Sequence, residues 1–319
     1  MKKSMISSIF AAGLILSISA CQKELGYTGF ADPDSSEGAA ISLSTDKAVY
    51  STGETVSFTA NQVPSGETYV RYKHLGEQIG SEELLTRNKW TWTAPSGDYK
   101  GYMAEVFRKG DAGDEILATI AVDVSSDWDR FPRYGFLSTF FRMDAVNCDD
   151  VIAALNRLHI NGVQFQDWHW KHHWPLAQDK ATLQPLETYV DIASRSTSMQ
   201  TVRNYIASCH KYGMKAIFYN LCFGALDDAA EDGVREDWYM YKDAGHQTID
   251  MHVLGSPFKS SVYLVNPANS EWLEYIGGKT DDVYANLDFD GYQIDQLGGR
   301  KALYDYNGTS IDLPAGYAS

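Results

Sequence analysis

The sequence predicts an all-β immunoglobulin-like sandwich over residues 41–125. It is followed by an α/β barrel of the (β/α)8 TIM type, whose first four βα units fill residues 126–319. Three observations lead there. Between Ile41 and Val124, short runs with apolar residues at alternate positions are divided by turn clusters. After "SSDWDRFPR" the apolar spacing changes to strands alternating with helices. None of those strands is followed by a glycine fingerprint of the GxGxxG kind, which argues for a barrel over a doubly wound dinucleotide-binding sheet.

The sandwich runs are "ISLSTD", "TVSFTA", "TYVRYKH", "KWTWTA", "YKGYMAEVFRK" and "ILATIAVDV", separated by "STGE", "VPSGE", "PSGD" and "GDAGDE". A sugar-binding accessory and a spacer that packs on the next domain both fit this pattern. The first barrel strand starts at Tyr134 in "YGFLSTF". Behind it, "NCDDVIAALNRLHI" puts Val151, Ile152, Leu155 and Leu158 on one helical face, with acidic residues in the first turn. A second strand begins at Gly162 in "GVQFQDWH". The helix "SMQTVRNYIASCHKYG" aligns Val202, Tyr205, Ile206, Cys209 and Tyr212 between a cap at Ser198 and a stop at Gly213. The third strand is "MKAIFYNLCFG". A helix carrying Trp272, Tyr275, Ile276 and Val283 then leads to the fourth strand, "GYQIDQLG".

Residues 1–21 read as an export signal, with Lys2 and Lys3 ahead of an apolar run from Ile9 to Leu16. "LSISAC" resembles a bacterial lipobox, making Cys21 the lipidated residue and the outer membrane or cell surface the expected location. Residues 22–40 form a flexible tether. Cys148, Cys209 and Cys222 lie on apolar periodic segments and are expected to be buried free thiols. A net charge of −15 leaves no basic face for nucleic acid. With 44% hydrophobic residues, the chain can bury a substantial core.

Working residues of such barrels lie at the C-terminal ends of strands. That rule selects Asp167, Trp168 and His169 after the second strand, Tyr219 and Asn220 after the third, and Asp295 and Gln296 after the fourth. Asp295 follows Ile294, and a carboxylate on an apolar strand is costly unless paired or used. "DWHWKHHWPL", residues 167–176, admits three readings. Asp167, His169, His172 and His173 could hold a metal, although the spacing matches no common pattern. Indole faces could stack on pyranose rings while Asp167 and the imidazoles bond hydroxyls. The loop could also shape the mouth without touching substrate. No cofactor is expected, and no DxDxDG-type loop suggests calcium.

"PRYGFLSTF", "VQFQDWHWKHHWPL" and "GYQIDQLGGR", in that order between Pro132 and Arg300, resemble the catalytic domain of glycoside hydrolase family 66, the bacterial dextranases and cycloisomaltooligosaccharide glucanotransferases. The resemblance implies retaining cleavage of α-1,6-glucosidic links in dextran, with Asp295 of the "DGYxIDQLG" motif as nucleophile. The strand-end rule and the sugar-cradle reading together place Asp167, Trp168, His169, His172, His173, Tyr219, Asn220 and Gln296 around the substrate. The family's acid/base is a glutamate on a later strand, expected beyond Ser319, so neither Glu231 nor Glu236, which follow the third strand, inherits that role. The 319-residue chain alone is therefore expected to be inactive and poorly soluble. A cyclising glucanotransferase and a non-catalytic glycan-binding lipoprotein are the competing expectations.

Overall fold

Alternation in "TVSFTA" sends Val56, Phe58 and Ala60 inward, each at most 1% exposed, while Thr55 faces solvent. The same period-two logic runs through the first third of the chain in a computed structural model that describes residues 41–47, 49–62, 65–295 and 298–318. The export signal, Cys21, the tether, Gln296 and Ser319 lie outside the described residues, and so does the acid/base glutamate expected beyond Ser319. Strands β1 (Leu43–Thr45), β2 (Thr55–Ala60) and β5 (Lys89–Thr93) form one antiparallel sheet, in the order β1-β2-β5. Strands β3 (Tyr69–His74), β4 (Glu77–Leu84), β6 (Lys100–Arg108) and β7 (Glu115–Val124) form the other, in the order β4-β3-β6-β7. The inward residues of both sheets meet in one core that includes Phe58, Val70, Tyr72, Val106 and Val122. Fully burying such a side chain contributes about 1.5–3 kcal/mol over leaving it in water. Strand β4 was not anticipated, because "EQIGSEEL" has no inward apolar row. Backbone pairing to β3 makes it a strand, at the exposed edge.

A second sheet system starts at β8 (Tyr134–Leu137) and continues through β9 (Gly162–Phe165). The short hairpin β10 (Thr188–Val190) and β11 (Ser196–Ser198) interrupts it before β12 (Lys215–Asn220). Strands β13 (Gly224–Ala225), β14 (Met251–His252) and β15 (Val262–Leu264) form a small antiparallel sheet, and β16 (Gly291–Ile294) closes the series. The strands β8, β9, β12 and β16 lie side by side in chain order, all parallel. Parallel neighbours need crossovers, and helices α1 (Ala145–Arg157), α2 (Met199–Lys211) and α3 (Ser270–Asn286) provide them. A final short helix, α4, spans Leu313–Ala318.

Local chemistry fixes the helix ends. Asp144 Oδ1 accepts from the Asn147 N–H at 2.8 Å to open α1, and Asn269 Oδ1 accepts from Trp272 N–H at 2.9 Å to open α3. Gly213, at φ 68°, ends α2 as expected, while Ser198 holds the cap position without a side-chain bond. Two expectations for α1 fail. Its start at Ala145 leaves no acid in the first turn, and Leu158 falls just past the last turn, 55% exposed. Val151, Ile152 and Leu155 do face the core as expected, and the buried Cys148 joins them.

The three helices cover one side of the parallel sheet only. Val163, Phe165, Ala216 and Phe218 point into a core shared with Ile152, Val202, Tyr205, Ile206 and Val283. The alternate residues Phe136, Gln164, Ile217, Gln293 and Asp295 share the opposite side, where Phe136 is 67% exposed. Cys148, Cys209 and Cys222 are free and buried. The sandwich joins at the N-terminal ends of these strands. Arg133 bonds Asp123 there, and Asn156 Nδ2 donates to the Thr45 carbonyl at 3.3 Å. Gly162 is needed at this junction, since a Cβ would come within 3.1 Å of the Tyr134 ring and 3.4 Å of Trp128.

Candidate active site at the C-terminal edge of the parallel sheet

Strands β12 and β16 pair with Tyr219 beside Gln293 and Asn220 beside Ile294, so the next residue, Asp295, emerges one step beyond Tyr219 on the open side. The Tyr219 hydroxyl donates to Asp295 Oδ2 at 2.6 Å, and the Asp295 N–H donates to the Asn220 carbonyl at 3.0 Å. Side chain and backbone of the carboxylate are thus both held by two consecutive residues of β12. Burial, reinforced by the bonded Asp295 charge, raises the Tyr219 phenol far above its ordinary range, so it stays a proton donor.

Asp167 stands one strand over, with its backbone at φ 52° in the left-handed region. Gln166 Nε2 donates to Asp167 Oδ1 at 2.8 Å, and Gln166 Oε1 accepts in turn from Gln164. Burial raises the Asp167 carboxyl; the charges of Asp191 and Asp295 add to that, while the Gln166 bond and Arg195 oppose it. Arg195 Nε donates to Asp191 Oδ2 at 2.8 Å, and its Nη2 donates to the Asp167 carbonyl at 3.2 Å. The arrangement collects two carboxylates on one sheet edge: Asp295, oriented by the Tyr219 hydroxyl and the β12 backbone, and Asp167, whose carboxyl burial pushes above its ordinary range.

The Trp- and His-rich run is corrected by its burial. Trp168 is 0% exposed and packs against Phe218 and Phe289, with ring centroids 6.0 and 5.2 Å apart, so its indole face is not offered to a sugar. His169, His172, His173 and Asn220 are also buried, and the polar atoms of His169, His172 and Asn220 turn to one another. His169 Nε2 lies 3.0 Å from His172 Nδ1, and His172 Nδ1 lies 3.0 Å from Asn220 Oδ1. Burial drives His169 well below the usual imidazole range and His172 down to about 4, leaving both neutral at pH 7. The metal reading of this run, with Asp167, His169, His172 and His173 as ligands, finds no such cluster among the described residues.

His173 instead joins two acids that sequence reasoning passed over. Its Nδ1 accepts from the Leu226 N–H at 3.2 Å, which places the proton on Nε2, 3.0 Å from Asp232 Oδ2. His173, Asp228 and Asp232 offer ligand atoms within 4.8 Å of one another. The ammonium groups of Lys171 and Lys180 already occupy the acceptors of Asp232, so this cluster is a salt-bridge network. Burial alone would raise the Asp232 carboxyl, but bonds from His173, Lys171 and Lys180 hold it well below the usual range. Lys259 is a third fastening: its Nζ donates to the carbonyls of Trp170, at 2.9 Å, and Val190, at 2.6 Å. The signal for these partners lay in charged residues far along the chain, such as Asp232, 59 positions from His173, which no spacing rule connects.

The family model of glycosyl hydrolase family 66 matches residues 45–319. The chain belongs to glycosyl hydrolase family 66. This family 66 chain is 33% identical over 290 residues to a cycloisomaltooligosaccharide glucanotransferase of Niallia circulans, covering 84% of its own length and 29% of that relative's. It is 22% identical over 219 residues to a dextranase of Streptococcus salivarius, with 65% and 26% covered. Among solved structures it superposes on the cycloisomaltooligosaccharide glucanotransferase of Paenibacillus sp., complexed with cycloisomaltoheptaose, at a TM-score of 0.75 and 32% identity. That match covers 86% of this chain and 41% of the other. The chain therefore spans less than a third of the length of these curated relatives.

Proposed function

We propose that this chain carries the nucleophile half of a retaining glycosidase site acting on α-1,6-glucosidic links of dextran or a related glucan, and that β8, β9, β12 and β16 are the first four strands of a (β/α)8 barrel. The observation that carries the proposal is the Asp295 carboxylate at the C-terminal end of β16, fixed by the Tyr219 hydroxyl at 2.6 Å on the sheet side opposite α1, α2 and α3. In such chemistry one carboxylate attacks the anomeric carbon while a second carboxyl protonates the departing oxygen and later activates water. A nucleophile must be ionised and rigidly aimed, and the two β12 contacts supply the aim. The family resemblance gives the acid/base role to a glutamate on a later barrel strand. Asp167, with Gln296, is assigned to contacts with sugar hydroxyls beside the nucleophile.

Trapping the complete protein with a slow fluorinated glucosyl donor and mapping the label by mass spectrometry tests the assignment. The expected adduct is an ester on Asp295; an ester on another carboxylate overturns it. A cyclising transferase is the second reading, favoured by the higher identity to the glucanotransferases than to the dextranase. Linear isomaltooligosaccharides from dextran support hydrolysis, and cyclic products support transfer. Export with lipid attachment at Cys21 completes the proposal. Metabolic labelling with a fatty acid should mark the wild type and not Cys21→Ser.

A further inference from the structure

Two consecutive residues of β12 hold Asp295, and both rest on the same pair of imidazoles. The His169 ring packs 5.7 Å from the ring of Tyr219, the donor to the carboxylate. His172 bonds the side chain of Asn220, whose carbonyl receives the Asp295 N–H. Neither imidazole reaches solvent beyond 3% exposure, so neither can meet a sugar directly. Their position beneath the nucleophile is the remaining route by which they could act on the reaction.

The bond directions in this pair can be worked out. Asn220 Nδ2 donates to the His172 carbonyl at 2.9 Å, which fixes the amide orientation and turns Oδ1, an acceptor, toward His172 Nδ1. His172 Nδ1 must therefore carry the proton. His169 Nε2, 3.0 Å from that same N–H, presents its lone pair, so the proton of neutral His169 sits on Nδ1. That Nδ1 is fully buried and has no hydrogen-bond partner among the described residues. Buried unsatisfied groups are rare in folded proteins and call for an explanation.

We propose that His172 is a positioning residue for Asp295: its Nδ1–H locks Asn220, and with His169 it forms a neutral floor that sets where β12 presents the Tyr219 hydroxyl and the Asn220 carbonyl. The proposal rests on Asp295 as nucleophile. It differs from a substrate-contact role, because its effect falls on the chemical step and spares glucan binding.

The test compares two variants of the complete protein on dextran. In His172→Asn the amide nitrogen replaces Nδ1–H, whereas His172→Gln keeps a polar side chain but moves the donor away from Asn220. His172→Gln should lower kcat by about 10- to 100-fold with KM held within about 2-fold, since small misplacements of a reacting group cost that much. His172→Asn should recover most of kcat. Equal losses in both variants, a change in KM alone, or no change in either overturns the proposal. A readout that needs no variant is the nitrogen spectrum of histidine-labelled wild-type protein: Nδ1–H tautomers of both residues are expected at neutral pH, and an Nε2–H tautomer at His172 overturns it. Asp295→Asn, assayed alongside, separates the two claims. Residual turnover in that variant defeats the nucleophile assignment and this proposal with it. An inactive Asp295→Asn beside equal His172 variants defeats this proposal alone.

Discussion

The sandwich and the parallel sheet solve the same problem with opposite results. In the sandwich two sheets cover one another's apolar faces, and Phe58, stacked on Trp90 with centroids 5.2 Å apart, has no route to a ligand. In the parallel sheet the helices cover one face, and the alternate residues of the same strands stand free of that packing, including Gln164, Gln293 and Asp295. One period-two pattern thus gives pure stability where two apolar faces are turned toward each other. It gives chemistry where one face is left for polar side chains.

The sharpest way to break this comparison is a pair of substitutions. Asp295→Asn in the complete protein should reduce turnover of dextran by about 10⁴-fold or more while leaving its melting midpoint and dextran binding nearly unchanged. Phe58→Ala should do the reverse, costing about 3–5 kcal/mol in denaturant unfolding with kcat per folded molecule retained. A loss of catalysis per folded molecule in the second variant would show that the sandwich contributes to the site.

Acid should act on the loop floor before it acts on the sandwich core. The buried His172 titrates near 4 in the fold against an ordinary 6.5, so between those values the unfolded chain binds more protons than the native one. Stability is then fully present above about pH 6.5 and falls as pH drops toward 4, by on the order of 3 kcal/mol for this residue. Urea midpoints at pH 7, 5.5 and 4.5 measure it, and His172→Asn should flatten the slope. At the small end, Leu75→Ser at the 90% exposed tip between β3 and β4 should shift stability by less than about 0.5 kcal/mol.

The four parallel strands and their helices were legible because apolar runs between strong stops identify themselves locally: Gly213 ends α2 where its φ demands glycine. The place of Asp295 at a strand end was legible for a related reason, since it directly follows an apolar run. Strand β4 was not, since its pairing is carried by backbone bonds that polar side chains do not advertise. The Trp- and His-rich run misled because the residue types that cradle sugars also fill cores. What decides between the two is whether distant segments cover them. Lys259 bonds the Trp170 carbonyl from 89 positions away, and Asp232 reaches His173 from 59. Gln166, which bridges Gln164 and Asp167, belongs to no motif that would single it out.

The junction through Arg133, Asp123 and Asn156 has a mechanical consequence. These contacts all gather where the parallel strands begin, whereas Asp295 sits where the last of them finishes. The sandwich is therefore a pedestal at the pole opposite the mouth. Under the proposed function, a polymer at Asp295 would approach from the end of the sheet away from the sandwich.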